Sequence, residues 1–325
     1  TRRDRPAPGA AGGVGGPRRA LRRAGGPAAP VDDPAYASFQ EAPEPGPAEI
    51  RVDVTVDGDG APRPAGARPI LAGGPWQVWR GDGLVVLEHW GARTAEPPYL
   101  RMFLPEGEPS VRLSLSKGPG PEASGGDRPV FALQYPVDQM LLMYLLPRWH
   151  GLIVHAAGLG LGGRGLVLPG RSGAGKSTIT RLLREREDFL GLSDDRVIIR
   201  KLGGRFVAFG TPWPGTEGIA ANAALPLREV LFLRHAPANS VVPLSPRAAM
   251  TRLLPAVSVP WYDAGAVPGA LDLLDDLLRS VPSADLHFRP DGEVAGLLSR
   301  RCAATENTEE IHMDKQDEQD ARDRE

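Results

Sequence analysis

Residues 170–177 read G-R-S-G-A-G-K-S and constrain the fold of this chain more than any other stretch. The spacing matches G-x-x-x-x-G-K-[ST], a glycine-rich loop whose backbone N–H groups surround phosphate oxygens. An apolar segment at 165–169 predicts a buried strand before the loop, and residues 178–183 predict a helix after it. A helix N-terminus placed in this way favours bound phosphate. The sequence therefore predicts an α/β domain that binds a nucleotide.

The motif assigns a role to each residue of the loop. Glycines let the backbone curl around phosphate, Lys176 is expected to reach the β- and γ-phosphates, and the Ser177 hydroxyl is expected to ligate Mg²⁺. The predicted cofactors are ATP and Mg²⁺, although no motif separates ATP from GTP. The predicted nucleotide contacts are Gly170, Arg171, Ser172, Gly173, Ala174, Gly175, Lys176, Ser177 and Thr178.

Charge and apolar patterning argue against two classes of partner. A net charge of −2 gives no overall electrostatic field that favours nucleic acid. An export signal requires an apolar segment after its basic residues, and the basic cluster at 18–23 is not followed by one. The longest apolar run, residues 140–146, is far shorter than a membrane span. With Cys302 as the sole cysteine, no internal disulfide is available. We predict a cytoplasmic protein without nucleic-acid or membrane partners.

Composition and periodicity divide the chain into four segments. Residues 1–47 are rich in Gly, Pro and Ala and predict an unfolded tail, and 302–325 predict a charged tail. Residues 48–136 predict a small β-rich domain, with alternation at 50–57 and a hairpin at 76–87. Residues 137–301 form the predicted nucleotide-binding domain. Further strands of the β-rich domain are expected at 99–104, 111–115 and 131–135.

The predicted nucleotide-binding domain alternates strands with helices, so we expect an α/β (α+β) fold with a mixed sheet. Glycine pairs at 162–163 and 203–204 predict two hairpins. Helices are expected at 137–149, 247–254 and 270–281, and single strands at 189–192, 229–233 and 284–288.

Two adjacent acids, Asp194 and Asp195, follow a predicted strand 18 residues after Lys176. Adjacent side chains of an extended backbone point in opposite directions, so one carboxylate is expected to face the nucleotide and the other a structural partner. A solvated Asp-Asp turn is the alternative. Phosphoryl transfer needs a group that takes the proton of the acceptor hydroxyl, and a carboxylate at this position suits that role.

The stretch from His155 to Arg196 resembles the kinase domain of HPr kinase/phosphorylase, within the phosphoenolpyruvate carboxykinase-like P-loop superfamily. The resemblance rests on I-V-H-A-A-G, L-V-L-P-G-R-S-G-A-G-K-S and L-G-L-S-D-D-R-V. It implies that Asp194 is the proton acceptor, with His155 and Asp195 as the other catalytic residues. For His155, a hydrogen-bonded core histidine is the alternative. The resemblance also implies metal ligation by Ser177 and Asp195.

One part of the family pattern is missing. The Glu-x-Arg-Gly signature of HPr kinases, which is tied to metal binding and phosphorolysis, has residues 210–218 in its place. Glu217 is the carboxylate that would replace the missing metal ligand. Related kinases phosphorylate a serine of a small peptide, and relatives assemble into rings. The resemblance therefore implies a peptide or protein acceptor with a serine hydroxyl, and a homo-oligomer.

Together these features predict an ATP- and Mg²⁺-dependent serine kinase. A small-molecule kinase is the alternative within the same enzyme class. Outside it, the alternatives are a nucleotide-binding regulatory module without transfer activity and a nucleotide hydrolase that acts as a switch.

Overall fold

The computed structural model describes residues 19–23, 34–39, 50–57, 61–90, 98–106, 110–116, 135–171 and 173–303. These residues divide into two compact units. The N-terminal unit contains the described residues up to Leu145 together with Val259–Gly269, and the C-terminal unit contains Leu146–Ser258 and the described residues from Ala270. The chain is a mixed α/β protein with two mixed sheets and few helices.

The N-terminal unit is built mainly from strands. Its elements are β1 (Arg19–Arg23), α1 (Pro34–Ala37), β2 (Ile50–Asp57), β3 (Arg68–Leu71), β4 (Trp76–Gly81), β5 (Leu84–His89), β6 (Leu100–Pro105), β7 (Ser110–Ser116) and α2 (Val137–Leu145). Over the described residues the sheet has the order β1-β2-β7-β6-β5-β4-β3. Strand β2 pairs in parallel with β1 and β7, and the other pairs are antiparallel. By compactness α2 belongs to this unit, whereas the sequence analysis placed it in the second domain.

The hairpin predicted at 76–87 is confirmed. Gly81 pairs with Leu84, so that Asp82 and Gly83 form a two-residue turn. Both turn residues have positive φ, 50° at Asp82 and 70° at Gly83, as the hairpin turns that match strand twist require. The strands predicted at 50–57, 99–104 and 111–115 are also present as β2, β6 and β7. Most of the strand predicted at 131–135 lies outside the described residues.

Two short elements lie within residues 1–47, where the sequence predicts an unfolded tail. Strand β1 pairs with β2, and helix α1 carries Tyr36, which is buried. The Tyr36 hydroxyl donates to Asp138 Oδ2 at 2.9 Å and accepts from the Tyr135 N–H at 2.8 Å. The low apolar content of this segment gave no sign of these contacts. The segment is held by one aromatic residue, Tyr36, and by the backbone pairing of β1 with β2, and it has no periodic apolar face.

Replacing Tyr36 with Phe should lower the free energy of unfolding by about 1–3 kcal/mol, because the fully buried Asp138 loses a donor and the Tyr135 N–H loses its acceptor. Urea unfolding of the wild type and the variant measures the difference. Deletion of residues 1–45 should cost at least as much. An unchanged urea midpoint in both variants would show that helix α1 does not dock.

The second sheet is formed by the strands of the chain from Gly151 onward. The elements are β8 (Gly151–Leu161), β9 (Arg164–Pro169), α3 (Lys176–Arg184), β10 (Phe189–Ser193), β11 (Arg196–Leu202), β12 (Arg205–Phe209), β13 (Ala224–His235), β14 (Ser240–Pro243), α4 (Pro246–Leu253), α5 (Val267–Ser280), β15 (Ser283–Phe288) and α6 (Glu293–Ala303). Both predicted hairpins are confirmed, as β8–β9 and β11–β12. Among the described strands the order is β10-β8-β11-β12-β13-β15-β14, and β9 pairs with β8 and β13.

The core of this unit joins the glycine loop's helix to the C-terminal helix. Ile179 of α3 and Leu298 of α6 are buried in one cluster with Phe288 of β15. Cys302 belongs to the same cluster, so the predicted charged tail does not begin at residue 302. Helix α6 was not predicted, although it buries Val294, Ala295, Leu298 and Cys302. Among the described residues, no helix combines the length and apolar composition needed to cross a bilayer.

The long strand β8 organises the region around the glycine loop. On one side it pairs with β9, and Ala156 lies opposite Pro169, where β9 ends. Strands β10 and β11 both run antiparallel to β8, β10 along residues 158–161 and β11 along residues 151–155. The break between β10 and β11 is Asp194-Asp195. The acidic pair therefore lies at the same level of β8 as the start of the glycine loop.

Candidate active site

The glycine loop joins β9 to α3, as predicted. Gly175 precedes the helix with φ 104°, and a Cβ there would lie 2.6 Å from Phe288 Cζ, so a larger residue is excluded. Gly175 has no side chain to cap the helix, and the first N–H groups of any helix lack intrahelical partners. Ser172 lies outside the described residues. The N–H groups that begin α3 are therefore placed as at the helix N-termini that bind phosphate.

Lys176 is buried at the start of α3, with 9% of its surface exposed. Its ammonium donates to the carbonyl oxygens of Gly170 and Arg171, the latter at 3.4 Å, and lies 3.4 Å from His155 Nε2. None of these partners carries a negative charge at neutral pH. Burial lowers the pKa of Lys176, and the carboxylates of Asp195 and Asp194 oppose that shift. A buried ammonium with uncharged partners suits an anionic ligand.

Asp195 and His155 form the group next to Lys176. His155 Nε2 lies 3.3 Å from Asp195 Oδ1, and Arg196 donates to Asp195 Oδ2. Burial lowers the pKa of His155, and the Lys176 ammonium lowers it further, while Asp195 acts in the opposite direction. His155 is therefore neutral at pH 7, and its Nε2 either donates to Asp195 or accepts from Lys176. The side chain is 40% exposed, which differs from a fully buried core histidine.

Asp194 is buried and faces away from this group. Its Oδ1 accepts from the N–H groups of Gly215 at 2.8 Å and Ile219 at 3.0 Å, and its Oδ2 accepts from the Glu217 N–H at 2.6 Å. A Cβ at residue 215 would lie 2.8 Å from Asp194 Oδ2, so this approach requires glycine. The two carboxylates do diverge. Asp194 organises the segment 211–219, which we call the anchored loop, and Asp195 faces His155.

The anchored loop brings its tip to the first turn of α3. Ser177 Oγ lies 3.4 Å from Thr216 Oγ1. The Glu217 carboxylate lies 3.5 Å from Arg181 Nε, and the Glu217 carbonyl accepts from Arg184 at 3.1 Å. The predicted metal ligands therefore occupy different places: Ser177 contacts Thr216, Glu217 pairs with Arg181, and Asp195 pairs with His155 and Arg196.

Mg²⁺ bound together with a nucleotide takes most of its ligands from phosphate and water, so it needs one or two protein oxygens. Ser177 offers such an oxygen in the first turn of α3. In the described part of the chain, no three His, Cys, Asp or Glu side chains are grouped as a protein-only metal site requires. The residues present therefore fit a metal that arrives with phosphate, with Lys176 as the cation beside it.

Sequence reasoning did not identify three residues of this region: Arg196, Thr216 and Arg181. Arg196 follows the acidic pair directly, so its position was readable as a neighbour of Asp195. Thr216 is 39 residues from Ser177, and no local pattern marks it. The run Pro214-Gly215-Thr216-Glu217-Gly218 was a weak signal, because glycines on both sides of a hydroxyl and a carboxylate are typical of a binding loop.

The fold and site define a mixed α/β protein with a glycine-rich loop beside an acid–histidine pair. Residues 130–266 match the family model described as SynChlorMet cassette protein ScmC. This segment contains the loop, the acidic pair and the anchored loop, and it is less than half of the chain. No curated protein matches the chain.

Proposed function

We propose that this protein is an ATP- and Mg²⁺-dependent kinase, similar to HPr kinase, that phosphorylates a serine hydroxyl of a peptide or protein. The observation that carries the proposal is the neighbourhood of Lys176. A buried ammonium at a glycine-rich loop lies 3.4 Å from an imidazole that contacts a carboxylate. Phosphate binding accounts for the ammonium and the loop, whereas the acid–histidine pair supplies what transfer to a hydroxyl needs in addition.

Lys176, Ser177 and the first N–H groups of α3 have separate roles in binding the nucleotide. Lys176 would exchange the carbonyl oxygens of Gly170 and Arg171 for the β- and γ-phosphates, and the N–H groups that begin α3 would donate to phosphate oxygens. Ser177 would hold Mg²⁺. When bound, the metal nucleotide supplies the phosphoryl group and offsets its charge.

The proton of the acceptor hydroxyl must pass to a base during transfer. From the sequence, Asp194 is the predicted proton acceptor, and Asp195 is a further catalytic residue and a metal ligand. The contacts favour Asp195 as the proton acceptor. Both oxygens of Asp194 accept backbone N–H groups, whereas Asp195 lies with His155 beside Lys176. We therefore assign the role of proton acceptor to Asp195, and Arg196 and neutral His155 hold its carboxylate in place.

The acceptor follows from two arguments of different kind. Related HPr kinase-like enzymes act on the serine of a small peptide, and the matched family is described as a cassette protein. We propose that the acceptor is a peptide or carrier protein encoded beside this chain. The same reasoning proposes a cytoplasmic location and a homo-oligomer, as in the ring-forming relatives.

Incubation with γ-labelled ATP and Mg²⁺ should transfer label to serine of that peptide, and Ser→Ala peptides should receive none. Intact-mass analysis should show one phosphoryl group per acceptor. Release of inorganic phosphate at the same rate without any acceptor would support a hydrolase instead. Nucleotide binding without either reaction would support a regulatory module, and label on small hydroxyl compounds would support a small-molecule kinase.

A further inference from the structure

We propose that Thr216 is a second protein ligand of the metal, beside Ser177, and that Asp194 is the positioning residue that holds it there. This assignment rests on the proposed function, since the metal arrives with the nucleotide. It replaces Glu217, which the sequence suggested, by a hydroxyl on the neighbouring residue.

The distance between the two hydroxyls suits a shared Mg²⁺. Oxygen ligands at the usual Mg²⁺ distance in adjacent octahedral positions lie about 3 Å apart. Ser177 Oγ and Thr216 Oγ1 are separated by 3.4 Å, so a small closing movement brings both oxygens to one ion. Thr216 is exposed, which leaves its remaining side free for a ligand.

The backbone on both sides of Thr216 is fixed. Asp194 accepts the N–H groups of Gly215 and Glu217, the residues that flank Thr216. The start of the anchored loop is held by buried Trp213, whose carbonyl lies 3.5 Å from Ser193 Oγ. The hydroxyl is therefore held opposite Ser177 by contacts that do not depend on Thr216 itself.

Glu217 is less suited to ligate the metal. Its carboxylate pairs with Arg181 and its carbonyl accepts from Arg184, both on α3. These contacts direct Glu217 along the helix and offset its charge. Mg²⁺ that is bound to phosphates needs few protein ligands, and two neutral hydroxyls add no negative charge beside the phosphates.

The test is calorimetric binding of ATP to the full chain with Mg²⁺ and, separately, with EDTA. Thr216→Val should weaken binding in Mg²⁺ by about tenfold, on the scale of lost contacts at metal sites, and leave binding in EDTA unchanged. Thr216→Ser keeps the oxygen and should restore binding in Mg²⁺. Thr251→Val, an exposed threonine of α4, is the matched control and should resemble the wild type.

Equal losses of ATP affinity in Mg²⁺ and in EDTA would show that Thr216 only stabilises the anchored loop, which would overturn the assignment. An unchanged ATP affinity in both conditions would also overturn it. Mn²⁺ in place of Mg²⁺ provides a readout that does not depend on transfer, since its paramagnetic spectrum should change in Thr216→Val. No ATP binding by the wild type would overturn the proposed function itself. Normal wild-type binding with an unaffected Thr216→Val would overturn this inference alone.

Discussion

Lys176→Ala is expected to abolish detectable nucleotide binding. The ammonium is buried at the start of α3 among uncharged partners, and the loop offers no second lysine to contact the phosphates. Losing such a charge–phosphate contact should weaken binding by about 100-fold or more. Thermal denaturation with Mg·ATP gives the readout: the wild type should melt at a higher temperature with the nucleotide, and the variant should not.

Lys201→Ala is the matched control for this substitution. Lys201 lies on β11 and pairs with Asp276 at 2.6 Å, so its removal deletes a lysine without touching the loop. Its variant should keep the full nucleotide-induced shift. The assignment of the phosphate loop is wrong if Lys176→Ala retains that shift.

The second large effect is expected at the acidic pair, where the two Asn variants should behave differently. Asp195→Asn keeps the shape but removes the basicity beside His155, so phosphoryl transfer should fall by about 100-fold or more. ATP affinity should stay near that of the wild type or rise, because a negative charge leaves the neighbourhood of the phosphates.

Asp194→Asn should act through the anchored loop. The amide nitrogen cannot accept a backbone N–H, so a partly buried donor of Gly215 or Glu217 loses its partner at a cost of about 1 kcal/mol. Unfolding free energy and Mg²⁺-dependent ATP binding should fall together. Metal-free binding should change less, since the loop contacts the nucleotide site through Thr216.

Calorimetric binding, urea unfolding and transfer to the peptide acceptor should be measured on both variants. Wild-type transfer by Asp195→Asn would refute the assigned proton acceptor. If Asp194→Asn loses transfer while stability and binding remain intact, the original assignment of the proton to Asp194 is correct. Wild-type transfer in both variants would favour a mechanism without a carboxylate base.

Sequence reasoning predicted the local elements well. The strand–loop–helix around Gly175, the two hairpins and the turn at Asp82-Gly83 depend on backbone preferences and apolar periodicity within a few residues. Strand β14 and helix α6 were both missed, and β14 is a short, mostly exposed edge strand that lacks an apolar period. The docking of Tyr36 was missed for a related reason, since its partner Asp138 is 102 residues away.

The sequence by itself determined that a glycine-rich loop joins a strand to a helix, and that two acids follow a later strand. The tertiary structure alone decided which acid faces the loop. That choice depends on three backbone N–H groups of residues 215, 217 and 219, which hold Asp194 and leave Asp195 to His155. It likewise decided that Thr216 meets Ser177. Side-chain direction at a break between strands is set by distant hydrogen-bond donors, and a local pattern carries no information about them.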